Sequence, residues 1–261
     1  MHVVESPKPS RIRLPRPDGR NATLVLLAGL AGWIDALSFS ELGQVFTSFQ
    51  SGNFIFLGLA VDEGDTEKLV GAAVSLAAFL AGTALGAYVV GRGELQPPDV
   101  RSLARGLVLE LALLVGFAIS WQAVGDPGAS AGRVVLIVLA ALAMGVQGAT
   151  LFALRIPGVL TNAMTATLML GGVMLGLRAR GPAADRRVSP LSGGFLAAMC
   201  ASYVVSALVV GVVDRPHVTS VVPADLLALT LLVLVTRERR STRTGQHPYR
   251  GGPGRPHPVS P

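Results

Sequence analysis

The residues with chemistry to offer are polar groups set in apolar surroundings. Asp35 interrupts the run Gly32-Trp33-Ile34-Asp35-Ala36, and further along come Thr47, Ser48, Gln50, Ser51, Gly52 and Asn53. If the surrounding helix starts near Asn21, Asp35 lies about 14 residues in, or ~21 Å at 1.5 Å per residue, well inside hydrocarbon. An acid near the bilayer centre costs ~2.5–3.5 kcal/mol on insertion scales, so it should face protein. There it could bind a proton or cation, or it could order the next segment by hydrogen bonding. The polar run supplies hydroxyls, amides and a flexible glycine where the backbone leaves helical geometry, which at membrane depth is tolerated only if buried in protein or lining a wet cavity. Gln147, Thr161, Asn162, Thr165 and Thr167, with Pro157 marking a break, offer similar groups later in the chain. Asp35, Thr47, Ser48, Ser51, Gly52, Asn53, Gln147, Thr161, Asn162 and Thr165 are therefore the candidate ligands for a cation, proton or small polar solute. The competing reading is that these groups satisfy freed backbone and bridge helices.

The elements that must position them are membrane helices. Of the 261 residues, 51% are hydrophobic and 15% charged, with a mean hydropathy of +0.55, far from the balance of a soluble domain. Eight apolar stretches can be read, at roughly 21–40, 42–61, 69–91, 106–124, 134–154, 156–177, 188–213 and 218–236, most of them near the ~20 residues that a span needs. The first follows a Pro/Arg-rich tail and is read as a retained helix rather than a cleaved signal.

Residues 32–58 and 145–172 resemble each other. Gly32, Ala36 and Phe39 align with Gly145, Ala149 and Phe152; after one extra residue, Val45, Thr47, Ser51 and Gly58 align with Val159, Thr161, Thr165 and Gly172. Charge points the same way. Eight crossings would leave Arg92, Arg101, Arg105, Arg155 and Arg215 outside, against the positive-inside tendency. If 42–61 and 156–177 re-enter and return, six crossings remain, in two inverted halves. The arginine-rich tails and loops then face the cytoplasm, and residues 62–68, 125–132 and 214–217 face outward. Such repeats, with interrupted segments near the midplane, are a recurring transporter architecture.

The expected organisation is an all-α polytopic bundle: a disordered cytoplasmic tail at 1–20, a first membrane repeat at 21–124, a second at 132–236 and a disordered basic tail at 237–261. The alternative is eight crossings. Ala78, Gly82 and Gly86, and also Gly172 and Gly176, are spaced for close helix packing. Glu110 and Asp225 are read as acids near helix starts, where they complement the helix dipole.

An enzyme is not expected. His2, His217, His247 and His257 lie in tails or an outer loop, and there is neither an HExxH motif nor a Walker A sequence. Cys200 is the only cysteine, which excludes an intramolecular disulfide and a CxxC site. No cofactor or metal is expected, and the net charge of +6 is explained by membrane flanks without a nucleic-acid partner. The bilayer is the expected partner, with a small polar solute or cation as the candidate ligand.

The blocks Asp35-Ala36, Ser38-Phe39, Leu42-Gly43, Val45-Phe46 and Ser51-Gly52-Asn53 resemble the signature of the YoaK-like bacterial membrane proteins, a family with a domain of unknown function. The family pattern is Gly-x-x-Asp-Ala, Leu-Gly-x-Val-Phe and Thr-Gly-Asn, then Gln-Asn-Ala and a Pro followed by Thr-Gly-Thr. Here Ser51 replaces Thr, Gly148 replaces Asn and Ala166 replaces Gly, which weakens the second half as a ligand source. The resemblance spans roughly residues 22–236. It implies a multi-pass inner-membrane protein without an established activity, here with both termini placed in the cytoplasm by charge.

Overall fold

The computed structural model describes residues 17–91, 100–124, 130–154, 164–178, 193–213 and 215–243. These form α1 (Pro17–Glu41), α2 (Gln50–Glu63), α3 (Thr66–Val90), α4 (Val100–Val124), α5 (Ser130–Phe152), α6 (Met164–Arg178), α7 (Gly193–Val213), the single turn α8 (Pro216–Thr219) and α9 (Val222–Arg243). The chain is an all-α polytopic bundle. α1, α3, α4, α5 and α7 each contain a stretch long and apolar enough to cross a membrane, while the apolar part of α9 is shorter. α2 has 14 residues and α6 has 15, or ~21–23 Å, too short for a ~30 Å core. Each half thus has the order long, short, long, long. Two helices run past the boundaries expected for the tails: α1 starts at Pro17, a residue type suited to a first helical turn, and α9 continues to Arg243.

Local chemistry sets the helix ends around the first interruption. Past Glu41, Gly43 (φ +82°) and Gln44 (φ +60°) turn left-handed, a conformation cheap for glycine and uncommon for glutamine. α2 closes on Gly64 at φ +68°, and Asp65 then caps α3 by accepting the Lys68 N–H at 3.0 Å.

Close approaches fix the helix directions. Gly29 and Gly32 of α1 lie against Ser202, Ser206 and Tyr203 of α7; the Ser202 hydroxyl donates to the Val25 carbonyl while Leu37 and Glu41 line one cavity with Val210 and Gly211, so these two helices run parallel. Gly82 and Gly86 of α3 lie against Leu142 and Val146 of α5, and this pair also runs parallel. At the Glu41 end of α1, Arg133 near the start of α5 sits beside Gly43 and pairs with Glu67 at 2.8 Å. α1 and α5 therefore run in opposite directions. α4 returns antiparallel to α5, with Gly106 against Thr150 and Val124 against Gly132. α9 starts near the end of α4, where the Gln122 side chain donates to the His217 carbonyl at 2.7 Å.

The first helix of each half thus packs on the third helix of the other, α1 on α7 and α5 on α3, and each fourth helix packs on the opposite first helix, α4 on α5 and α9 on α1. The core lies along these seams and includes Leu27, Ile34, Leu114, Phe117, Ile137, Met144 and Leu227. The aligned glycines Gly32 and Gly145 do the same work, since a Cβ on either would strike backbone of the facing helix. Gly82 and Gly86 behave as their spacing suggests. Gly172 and Gly176 do not: among the described residues a Cβ on either meets nothing within 4 Å, because α6 lies at the rim and turns that face away.

Candidate functional site

Asp35 sits six residues before the end of α1, ~9 Å from it, and its side chain is buried. After Glu41 the chain turns back alongside α1 and presents its backbone to that carboxylate. Oδ1 accepts the N–H groups of Thr47 (2.9 Å) and Ser48 (2.7 Å). Oδ2 accepts the Phe49 N–H (3.1 Å), the Ser48 hydroxyl and the Tyr203 hydroxyl (2.7 Å). One side chain thus gathers the orphan donors at the entry to α2 and ties them to α7. A carboxylate accepting several N–H groups is the strong form of the hydrogen bond, and it takes the place of an ordinary N-cap: Phe49, the residue in that position, offers no capping side chain.

Asn53 does the complementary work one turn into α2. Its Oδ1 accepts the Phe46 N–H at 3.0 Å, and its Nδ2 donates to the Phe46 carbonyl (2.6 Å) and to Gln50 Oε1 (2.8 Å). Ser75 of α3 donates to the same carbonyl at 2.6 Å, and Gln50 Nε2 reaches the Thr47 carbonyl at 2.8 Å. Thr47 Oγ1 lies 3.4 Å from Ser38 Oγ. The break at 42–49 is consequently a non-helical segment of turns and bends whose backbone polar groups are met by side chains of α1, α2 and α3, with Tyr203 of α7 holding the Asp35 carboxylate. Phe46 stacks on Phe39 and Phe56, with centroids at 5.0 and 5.9 Å, which covers the break on its apolar side.

The structure brings Asp35, Thr47, Ser48 and Asn53 together and buries all four. Gly52 is buried against the Phe46 and Phe49 rings, whereas Ser51 is exposed on α2. Gln147 is buried on α5 and donates to the Leu27 carbonyl of α1 at 3.0 Å, so it bridges first helices instead of joining the Asp35 cluster. Thr165 is exposed at the start of α6; Thr161, Asn162 and Pro157 lie outside the described residues. α2 packs on α3 and α6 on α7, and these two short helices do not form a mutual packing seam.

Tyr203 and Ser75 complete the cluster, and the sequence reading did not single them out. The signal was available for Tyr203, because a tyrosine inside an apolar span must find a partner for its hydroxyl. Glu110 also differs from expectation. α4 starts at Val100, so Glu110 is mid-helix and fully buried, while Asp225 is exposed in the first turn of α9. Among the described residues, both Glu110 oxygens, Trp121 Nε1 and Thr167 Oγ1 have no hydrogen-bond partner.

The sequence was read as having no GxSxG elbow, yet residues 128–132 spell Gly-Ala-Ser-Ala-Gly, a G-x-S-x-G string. Ser130 opens α5, and residues 125–129, which lead into it, lie outside the described residues. No group of three or more His, Cys, Asp or Glu residues suited to a metal occurs among the described residues.

No solved structure matches this chain. A curated relative, the UPF0700 transmembrane protein YoaK of Bacillus subtilis (strain 168), is 32% identical over 152 residues, which is 57% of this chain and 64% of that protein. The alignment thus spans a little under two thirds of that relative's length. The family described as protein of unknown function (DUF1275) matches residues 23–234, from the first turns of α1 into α9. With the helical bundle and the Asp35 block inside that match, the chain is a multi-pass membrane protein and belongs to the DUF1275 family.

Proposed function

We propose that this protein is a small-solute or ion transporter, or a channel-like protein, built from two inverted repeats with six crossings, and that its first interruption is the working element. The observation that carries this reading is the break at 42–49, non-helical backbone at membrane depth held in place by one buried carboxylate. Broken helices of this kind recur where transporters bind their cargo. The antiparallel course of α1 and α5 and the exchanged packing of first and third helices support an inverted relation between the halves. In this reading Asp35, Thr47, Ser48 and Asn53 exchange their bonds within the chain for bonds to a cation or polar solute when the break loosens, and Ser51 and Gly52 contribute from the start of α2. Gln147, Thr161, Asn162 and Thr165 serve the second half. The arginine-rich tails support termini on the cytoplasmic side of a bacterial inner membrane.

The separation of 3.4 Å between Ser38 Oγ and Thr47 Oγ1 offers a way to pin the break without touching Asp35. In proteoliposomes carrying Ser38→Cys and Thr47→Cys in a Cys200→Ser background, oxidation should abolish flux of the transported species and reduction should restore it. The species are sought by screening alkali cations, protons, amino acids, sugars and nucleobases with wild-type protein. Flux that persists through the oxidised, cross-linked protein removes the break from the mechanism. Topology is read separately: a reporter fused after Val61 should face outward and one after Leu177 inward, and the reverse at either site sinks the inverted arrangement.

A second reading, a membrane scaffold or accessory subunit that transports nothing, is favoured by how completely the cluster satisfies itself. Both oxygens of Asp35 and both polar ends of Asn53 are bonded within the chain. Absence of flux for every solute in the wild-type screen, with Asp35→Asn changing thermal stability alone, selects that reading.

A further inference from the structure

Glu110 is a buried charge-bearing group that nothing described so far employs. It lies near the middle of α4, is 0% exposed, and neither carboxyl oxygen has a hydrogen-bond partner among the described residues. The contrast with Asp35 is sharp: one acid is surrounded by donors and the other by none. Burying an ionisable group without a partner is among the costliest arrangements in hydrocarbon, and a carboxyl kept there needs a positive companion.

Its level in the bundle follows from the antiparallel seam of α4 and α5. Gly106 faces Thr150 and Gly116 faces Leu139, so Glu110 falls near the level of Val146 and Gln147. There Gln147 reaches across to the Leu27 carbonyl, which brings α1, α4 and α5 to one layer. The two directions away from Glu110 differ. Toward the Asn21 end the same face of α4 carries Gly106 and Ser102, with the Thr150 hydroxyl against Gly106; toward the other end it carries Leu114, Phe117 and Trp121, all buried. Small and hydroxyl-bearing residues thus line the close-packed seam on the Asn21 side, where the Thr150 hydroxyl donates to the Val146 carbonyl, and large apolar ones fill the other side.

The described charges on the elements around α4 stand at helix ends or on the outside. Glu67 and Lys68 begin α3, Arg133 begins α5 and is paired with Glu67, Asp225 is exposed in the first turn of α9, and Arg105 of α4 itself is exposed. Asp35, the buried acid of α1, is occupied by the break. Among the described residues of the second half, the buried polar group of α9 is Thr230, which donates to the Leu226 carbonyl.

We propose that Glu110 is a monovalent-cation site, holding a proton or an alkali ion that exchanges along the α4–α5 seam toward the Asn21 end. The site is separate from the Asp35 cluster and does not depend on whether a solute crosses at the break.

Infrared difference spectroscopy on the full-length protein in liposomes tests it, comparing wild type with Glu110→Gln before and after transfer to D2O and on addition of NaCl or KCl. Surface carboxylates cancel in the difference. A carboxylic C=O band absent in Glu110→Gln that shifts in D2O within hours and ignores both salts identifies the occupant as a proton. Carboxylate bands that move with Na+ or K+, and are lost in Glu110→Gln, identify an alkali ion. A Glu110 band that neither exchanges nor answers to salt, or spectra identical in the two proteins, overturns the proposal. Should Glu110→Gln fail to fold, Glu110→Asp displaces the band instead of removing it and reads the same exchange.

Discussion

Asp35→Ala is expected to be the most damaging single substitution in the first half of the chain. It strands two buried backbone donors, at Thr47 and Ser48, and the part-buried N–H of Phe49, together with the hydroxyls of Ser48 and Tyr203. At about 1–3 kcal/mol for each stranded group, tempered by water entry, the loss should be at least ~3 kcal/mol. At ~2–4 °C per kcal/mol for a chain of this size, the melting temperature in detergent should fall by about 10 °C. Asp35→Asn should fall between, since it keeps one carbonyl oxygen but aims an amide at donors. Tyr203→Phe removes one bond of the set and leaves the rest of the carboxylate's partners in place, so its effect should be ~1–2 kcal/mol. Thermal unfolding of the three variants followed by intrinsic fluorescence checks the order. A Tyr203→Phe protein that melts below Asp35→Ala would show that the carboxylate is not the hub.

The second large effect belongs to a residue with no side chain. Gly145→Leu should prevent α5 from seating on α3, because its Cβ would lie within contact of Phe79, Thr83 and Gly82 backbone atoms, none of which can swing aside. Ordinary overpacking costs ~1–3 kcal/mol, and a clash with helix backbone exceeds that range by forcing the two helices apart. The expected result is loss of the monodisperse peak in size-exclusion chromatography and a steep drop in folded yield. Gly32→Leu should do the same at the α1–α7 seam. Gly172→Leu is the matched control, with nothing within 4 Å of its Cβ among the described residues, and it should behave like wild type. Equal yields for Gly145→Leu and Gly172→Leu would mean that the α3–α5 seam is looser than drawn here.

What the sequence disclosed follows the range of the interactions. Helical spans, the interruption after the first span and the burial of Asp35 against protein were legible because each depends on local composition or on a charge in an apolar run. The likeness of Gly32 to Gly145 was legible in the sequence, though what the two glycines share, a backbone approach to Tyr203 for one and to Phe79 for the other, was not. Tyr203 is 168 residues from Asp35, and no local pattern links them. Spacing alone could not separate Gly82, at a seam, from Gly172, at the rim. Glu110 was misread for a different reason. The helix start was placed at the first apolar residues near 106, whereas α4 begins at Val100 with a turn that contains Arg101 and Arg105, and those six residues move an acid from a helix end to a helix interior.

The exchange of partners between halves also governs the order in which the chain can be finished during synthesis. α5 finds α3 already made, so the central seam can close as soon as α5 emerges. α1 must wait for α7, which means that the face bearing Gly29, Gly32 and Asp35 stays open to lipid or to an insertion factor until residue 203 has left the ribosome. α1 is thus locked only after the six described helices from α2 to α7 have been made, and a chain truncated anywhere before α7 leaves the α1 face that carries Asp35 without its cover.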